Sequence, residues 1–120
     1  MSSKSIMFKR ISSESLDELS NKVAGQLIDF GAELVFNNLH KKEGTEVLLM
    51  VFEKYYFRNG SYTALTFQCI SSGDTQTAIV VGTGGGEGLF NVSWGANKSF
   101  ARNAQNVLEQ CGFEAYTLKQ

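Results

Sequence analysis

The sequence predicts an α+β domain in which two amphipathic helices cover one face of an antiparallel meander sheet of about five to six strands. Apolar residues recur at helical spacing in two segments, about 15–30 and 98–111. Between them lie short segments rich in β-branched and aromatic residues, which are typical of strands. Turns built from Gly, Asn, Asp and Ser separate these segments, so consecutive strands are expected to pair as hairpins.

The composition is that of one globular domain. The chain has 120 residues, of which 42% are hydrophobic and 19% charged, and we predict a single domain over residues 1–120. The net charge of -1 supplies no broad basic field, so we expect neither nucleic acid nor a membrane as a partner. The chain has two cysteines, and no apolar stretch approaches the ~20 residues that a membrane span requires. We therefore predict a reduced, cytoplasmic protein.

The first two elements have clear local patterns. Residues 5–11 predict a short strand. Ser15, with Glu18 three residues later, forms a capping box that starts a helix over about 15–30, and Gly31 ends it. The apolar stripe of this helix consists of Leu16, Leu19, Val23, Leu27 and Phe30.

The middle of the chain predicts hairpin strands. The strongest strand is 45–58, after a turn over 40–44, and its first half, Val47–Phe52, is apolar on both faces. We therefore expect it to be central and covered on both sides. Asn59-Gly60 is a two-residue signal for a type I′ turn. The other predicted strands cover residues 32–39, 61–70, 75–82 and 89–94.

The end of the chain predicts a second helix. Gly95-Ala96-Asn97 is expected to break the sheet, with Asn97 or Ser99 as the cap of a helix over about 98–111. Gly112 would end that helix, and residues 113–118 are expected to add a short closing strand or a packed tail.

The run Gly82–Gly88, with five glycines in seven residues, is the most conspicuous candidate site. It fails the dinucleotide fingerprint, because Glu87 or Leu89 stands where the third glycine is required, and it lacks the Gly-Lys-Ser/Thr end of a P-loop. Three interpretations stay open: a hairpin turn that needs positive φ, a phosphate cradle of backbone N–H groups, or a loop that contacts a ligand or partner. We predict no cofactor.

The segment Glu53–Arg58 is the second candidate. Strand alternation puts Tyr55 on one face and Tyr56 with Arg58 on the other. Such a row is commonly aromatic packing with surface ion pairs, but the same groups can bind an anionic or planar ligand. Trp94, the single tryptophan, is either a core residue or an interface anchor. The predicted ligand- or partner-binding residues are Glu53, Tyr55, Tyr56, Arg58, Gly84, Gly85, Gly86, Glu87 and Trp94.

No motif in the sequence is specific to an enzyme. The single histidine, His40, lies in a polar segment, and a metal site needs several converging ligands. No Gly-x-Ser-x-Gly elbow is present. We predict no catalytic residue and no metal site.

Three motifs together resemble a family of small bacterial proteins of unknown function. They are MVFEKYYFR at Met50–Arg58, GTGGGEG at Gly82–Gly88 and WGA at Trp94–Ala96. Ala32–Val35 also fits, so the resemblance spans about residues 7–110. It implies a bacterial cytoplasmic protein and supplies no activity, cofactor or catalytic residue.

We predict a non-enzymatic module that binds a small ligand or a protein. The alternative is a small enzyme acting on an anionic metabolite, with Glu53 or Glu87 as acid/base and Arg58 as anchor. Two helices on one face leave the other side of the apolar strand 45–58 to be covered. Either the sheet curls strongly or that face meets another subunit, and we predict a homodimer.

Overall fold

The computed structural model describes residues 3–56, 60–84 and 94–116 and confirms the α+β class, with a six-stranded antiparallel sheet and two helices. The elements are β1 (Ser3–Ile11), α1 (Leu16–Asp29), β2 (Glu33–Lys42), β3 (Thr45–Tyr56), β4 (Ser61–Ser72), β5 (Thr75–Gly84), α2 (Trp94–Gln110) and β6 (Glu114–Tyr116).

The sheet has the order β2-β3-β4-β5-β1-β6, and every neighbouring pair is antiparallel. Strands β2 to β5 form the predicted meander. Strand β1 pairs with the far side of β5, so the first and the fifth strands of the chain lie together. The three residues of β6 pair with Met7–Lys9 on the outer side of β1.

Helix α1 follows the prediction closely. The Ser15 hydroxyl accepts a hydrogen bond from the backbone N–H of Glu18 at 3.3 Å, which satisfies one of the free donors at the helix start. The buried side of the helix carries Leu16, Leu19, Val23 and Leu27. The helix ends before Gly31, whose φ of 106° is readily adopted by glycine alone.

Helix α2 begins at Trp94, four residues before the predicted start. Gly95-Ala96-Asn97 form the first turn of the helix, so the prediction that Asn97 or Ser99 caps it is wrong. The first-turn N–H groups have no partner within a helix, so weak helix formers cost little there. The strand predicted over 89–94 is wrong at Trp94, and its other residues lie outside the described part of the chain. The sixth strand is β6, within the predicted closing segment 113–118.

The turn predicted over residues 40–44 is shorter than expected. Its two turn residues are Glu43 and Gly44, with φ values of 39° and 80°, as a tight hairpin requires. His40 therefore lies in β2, where it is exposed.

The core lies between the sheet and the two helices, all on one side. Leu48, Met50 and Phe52 of β3 are buried there, as is every second residue of β4 from Thr63 to Ser71, and α1 and α2 complete the layer. The largest fully buried side chains are Phe8, Leu16, Leu19, Leu27, Leu48, Met50, Phe52, Leu65, Phe67, Phe100 and Leu108. The sequence predicts that both faces of β3 are covered. Within the described residues, only the face toward the helices is covered. Neither described helix is long and apolar enough to cross a membrane.

Candidate interaction surface

The sheet face opposite the helices is uncovered in the part of the chain that the structure describes. We call it the open face. It consists of the odd-numbered residues of β1, β3 and β5, the even-numbered residues of β4, and the edge-strand residues Glu33, Phe36, Asn38, His40, Glu114 and Tyr116. None of its described side chains is buried, whereas most of those on the opposite side of the same strands are.

The centre of the open face carries no charged side chain and is largely apolar. One register row joins Val51, Thr66 and Val81, and the next joins Leu49, Gln68, Ile79 and Met7. Two large apolar side chains on this face are strongly exposed, Phe36 at 49% and Ile70 at 42%. An exposed, largely apolar surface is typical of an interaction site.

A pair of tyrosines closes one end of the open face. Tyr55 and Tyr62 are register partners on β3 and β4, with ring centroids 4.9 Å apart and an interplanar angle of 56°. Both remain accessible, with exposed fractions of 43% and 60%. Because each ring packs against the other, the pair presents a preformed aromatic surface with little rotamer entropy left to lose on binding.

Two carboxylates lie next to the tyrosine pair. Glu33 on β2 and Glu53 on β3 are direct register partners. Like charges in that position repel each other. Within the described residues, neither carboxylate forms a salt bridge. This corner of the open face therefore carries an uncompensated negative charge in the described part of the chain.

The glycine run starts at the same end of the sheet. Gly84 is the register partner of Thr63, and Thr63 is in turn the partner of Lys54. Two strand spacings, about 10 Å, therefore separate Gly84 from Lys54. This row faces the helices. There Lys54 Nζ donates to the backbone oxygen of Phe30 at 3.1 Å and lies 4.9 Å from the centre of its ring.

The start of α2 lies at this end as well. Phe100 stacks on Phe30, with ring centroids 6.1 Å apart, whereas Cys111 beyond the other end of the helix accepts a hydrogen bond from Arg10. Helix α2 therefore runs away from the tyrosine end, and Trp94 lies at its beginning.

The structure thus brings Glu53, Tyr55, Tyr56, Gly84 and Trp94 to one end of the sheet. The side chains of Tyr56 and Trp94 are not among those described. Four other predicted site residues, Arg58, Gly85, Gly86 and Glu87, lie outside the described residues.

With this geometry established, comparison with known proteins assigns a family. A model of DUF6054, a family of unknown function, matches residues 1–112. The chain belongs to this family. The expectation of a family of unknown function is thereby confirmed. A search of curated proteins finds no match. DUF6054 carries no assigned activity. The function of this chain is therefore inferred from the surface of its domain.

Residues of the open face outside β3 were missing from the sequence-based site. Strand register alone places Phe36 of β2 and Ile70 of β4 on either side of β3. It also places Glu33 opposite Glu53. The alternation of β4 could have identified Ile70, but no local pattern indicates that Glu33 faces Glu53. Register depends on how the whole sheet of this DUF6054 domain assembles.

A pocket of about 380 Å³ lies at the opposite end of the sheet, near the start of α1. Three of its five charged side chains, those of Glu14, Lys41 and Glu46, already have partners. Glu46 Oε1 accepts from the backbone N–H of Leu16 at 3.3 Å, and Lys41 Nζ lies 3.1 Å from Asp17 Oδ2. Within the described residues, no group of three or more His, Cys, Asp or Glu side chains is arranged to hold a metal ion. The open face is therefore the stronger candidate.

Proposed function

We propose that this protein is a non-enzymatic binding module that contacts a protein partner through its open face. The observation that carries the proposal is the exposed Tyr55–Tyr62 pair at the end of an uncovered apolar sheet face. Tyrosine is enriched where protein surfaces meet, because its ring supplies contact area and its hydroxyl a hydrogen bond. A flat, broad face suits a protein better than a small molecule, which is usually enclosed in a concave site.

The position of the first glycines of the run supports a contact region at the tyrosine end of the sheet. Gly84, the last residue of β5, lies two strands from Lys54. Glycine permits close backbone approach, so a strand that ends in Gly84 suits contact with a partner at this end.

The enzyme alternative is less well supported. It requires Glu53 or Glu87 to act as acid/base in an enclosed site. Glu53 lies half-buried on an open sheet surface beside Glu33, whereas general acid/base groups work in clefts that exclude water. Glu87 and Arg58 lie outside the described residues.

We further propose that the module acts in a bacterial cytoplasm. The free thiols of Cys69 and Cys111 support a reducing compartment.

A photo-crosslinking amino acid placed at Tyr62 tests the proposal. p-Benzoylphenylalanine keeps an aromatic ring at that position, so the fold and the packing against Tyr55 should persist. We expect irradiation of cells that express this variant to yield a discrete cross-linked protein band, whose second member mass spectrometry identifies.

The matched control carries the same amino acid at Ile28, an α1 residue with an exposed fraction of 50% that lies outside the open face. A discrete product at position 62 and none at position 28 supports the proposal. Equal labelling at both positions, or no product at position 62, would overturn it.

A further inference from the structure

We propose that the partner of the open face is a second copy of this chain, packed face to face about a twofold axis. This inference rests on the proposed function and names its partner. An isologous contact requires one surface to complement itself. Two properties of the open face meet that requirement: its area, and a largely apolar centre inside a charged rim.

The area of the open face suits a stable dimer. Strands β2 to β1 span five strand widths, about 24 Å, and the face runs about 33 Å from Thr45 to Tyr55. The resulting footprint is roughly 800 Å² on each copy, the size of a standard protein–protein interface.

The charged groups of the open face lie at its rim. His40, Lys9 and Glu114 occupy one end of their strands, and Glu33 and Glu53 the other end. Ile79 and Val81 lie near the middle, beside Thr66 and Gln68 of β4. A largely apolar centre without charges inside a charged rim is the usual anatomy of a protein interface.

The edge of the sheet is a poorer place for self-association. Strand β2 contains a register shift between Leu34 and Phe36, and it ends in Lys41 and Lys42. Bulges and edge lysines are the features that prevent edge-to-edge pairing of strands. The self-association that the structure supports therefore uses the face.

Light scattering over a dilution series tests the dimer. We expect the purified protein to have twice the monomer mass at micromolar concentration. Ile70→Lys places a charge in the interface and should raise the dimer dissociation constant about tenfold or more. Ile28→Lys is the matched control, since Ile28 is similarly exposed on α1, and it should leave the constant unchanged. A monomer at every concentration would overturn the inference.

A second variant tests the face without relying on Ile70. Phe36→Lys places a charge on the open face from another strand and should weaken the dimer about tenfold. Circular dichroism verifies that each variant is folded. If Phe36→Lys dimerises as tightly as the parent, the proposed face is wrong.

The failures of the two proposals are distinguishable. If position 62 cross-links to a different protein while the purified chain is monomeric, the binding function stands and the second copy is excluded. A cross-link within one chain would show that a segment of the same molecule covers the face, and would overturn both.

Discussion

Arg10 Nε donates a hydrogen bond to the side-chain oxygen of Gln76 at 2.7 Å, in the layer between the sheet and the helices. Gln76 is fully buried and its amide nitrogen donates to the backbone oxygen of Glu14 at 2.8 Å. The Arg10 guanidinium also donates to Glu14 Oε1 at 2.8 Å and to the backbone oxygen of Cys111. This buried cluster therefore ties β1, β5, the start of α1 and the end of α2 together.

Loss of the Gln76 amide should destabilise the domain strongly. Gln76→Leu keeps a similar volume but leaves the buried Arg10 Nε without its acceptor, so we expect a loss of about 2–3 kcal/mol in the free energy of unfolding. Gln68→Leu is the control, since Gln68 lies on the open face and should change stability by less than about 0.5 kcal/mol. Urea denaturation measures both, and equal effects would contradict the role given to the cluster.

The stability of the domain should fall with acidity through Glu14. The hydrogen bond from Lys22 Nζ, at 2.6 Å, and the neighbouring Arg10 hold the pKa of Glu14 below its ordinary value of 4.5. The folded state therefore binds this proton more weakly than the unfolded chain does. The stabilisation is fully present above pH 4.5 and is lost as the pH falls through the lower folded-state pKa.

Denaturation curves at several pH values measure this contribution. The difference in unfolding free energy between the parent and Glu14→Gln should be largest near neutral pH and should shrink below pH 4.5. Lys22→Gln should reduce the pH dependence in the same direction, because Lys22 supplies the largest of the effects on Glu14. Parallel curves for parent and Glu14→Gln would exclude Glu14 as the source.

Two glycine-to-alanine substitutions at and near the end of α1 should have opposite effects. Gly31 has a φ of 106°, which side chains other than glycine rarely adopt, so Gly31→Ala should cost about 1–3 kcal/mol. Gly25 lies inside α1 with nothing within 4 Å of an added Cβ, and Gly25→Ala should stabilise by about 0.5–1 kcal/mol. Thermal unfolding distinguishes them, and a neutral Gly31→Ala would contradict the backbone strain at this position.

Cys69 should be chemically inert in the folded protein. Burial raises its pKa to about 12, so almost no thiolate is present at pH 8. In the Cys111→Ser variant, which leaves Cys69 as the one thiol, we expect iodoacetamide to react only after unfolding with guanidinium. Mass spectrometry counts the added groups. Labelling of the folded variant at the rate of free cysteine would be incompatible with this burial.

Local signals explain why much of the fold was predictable. The Ser15 cap, the apolar stripe of α1 and Gly31 act within a few residues of one another, so they indicate a helix without tertiary information. The start of α2 was harder to predict, because Gly95 and its neighbours have the pattern of a break between two elements. Gly95 is tolerated because it falls in the first turn of a helix that Phe100 anchors against Phe30.

The sequence by itself determined the elements of this protein: an alternating or doubly apolar strand pattern, two helical stripes and the turns between them. Only the tertiary structure decided which of these surfaces stay accessible. The pairing of β1 with β5, the opposition of Glu33 and Glu53, and the open face all depend on register between residues distant in the chain. These pairings form because they bury the apolar face of the whole sheet against the helices. No short segment of the sequence contains that information.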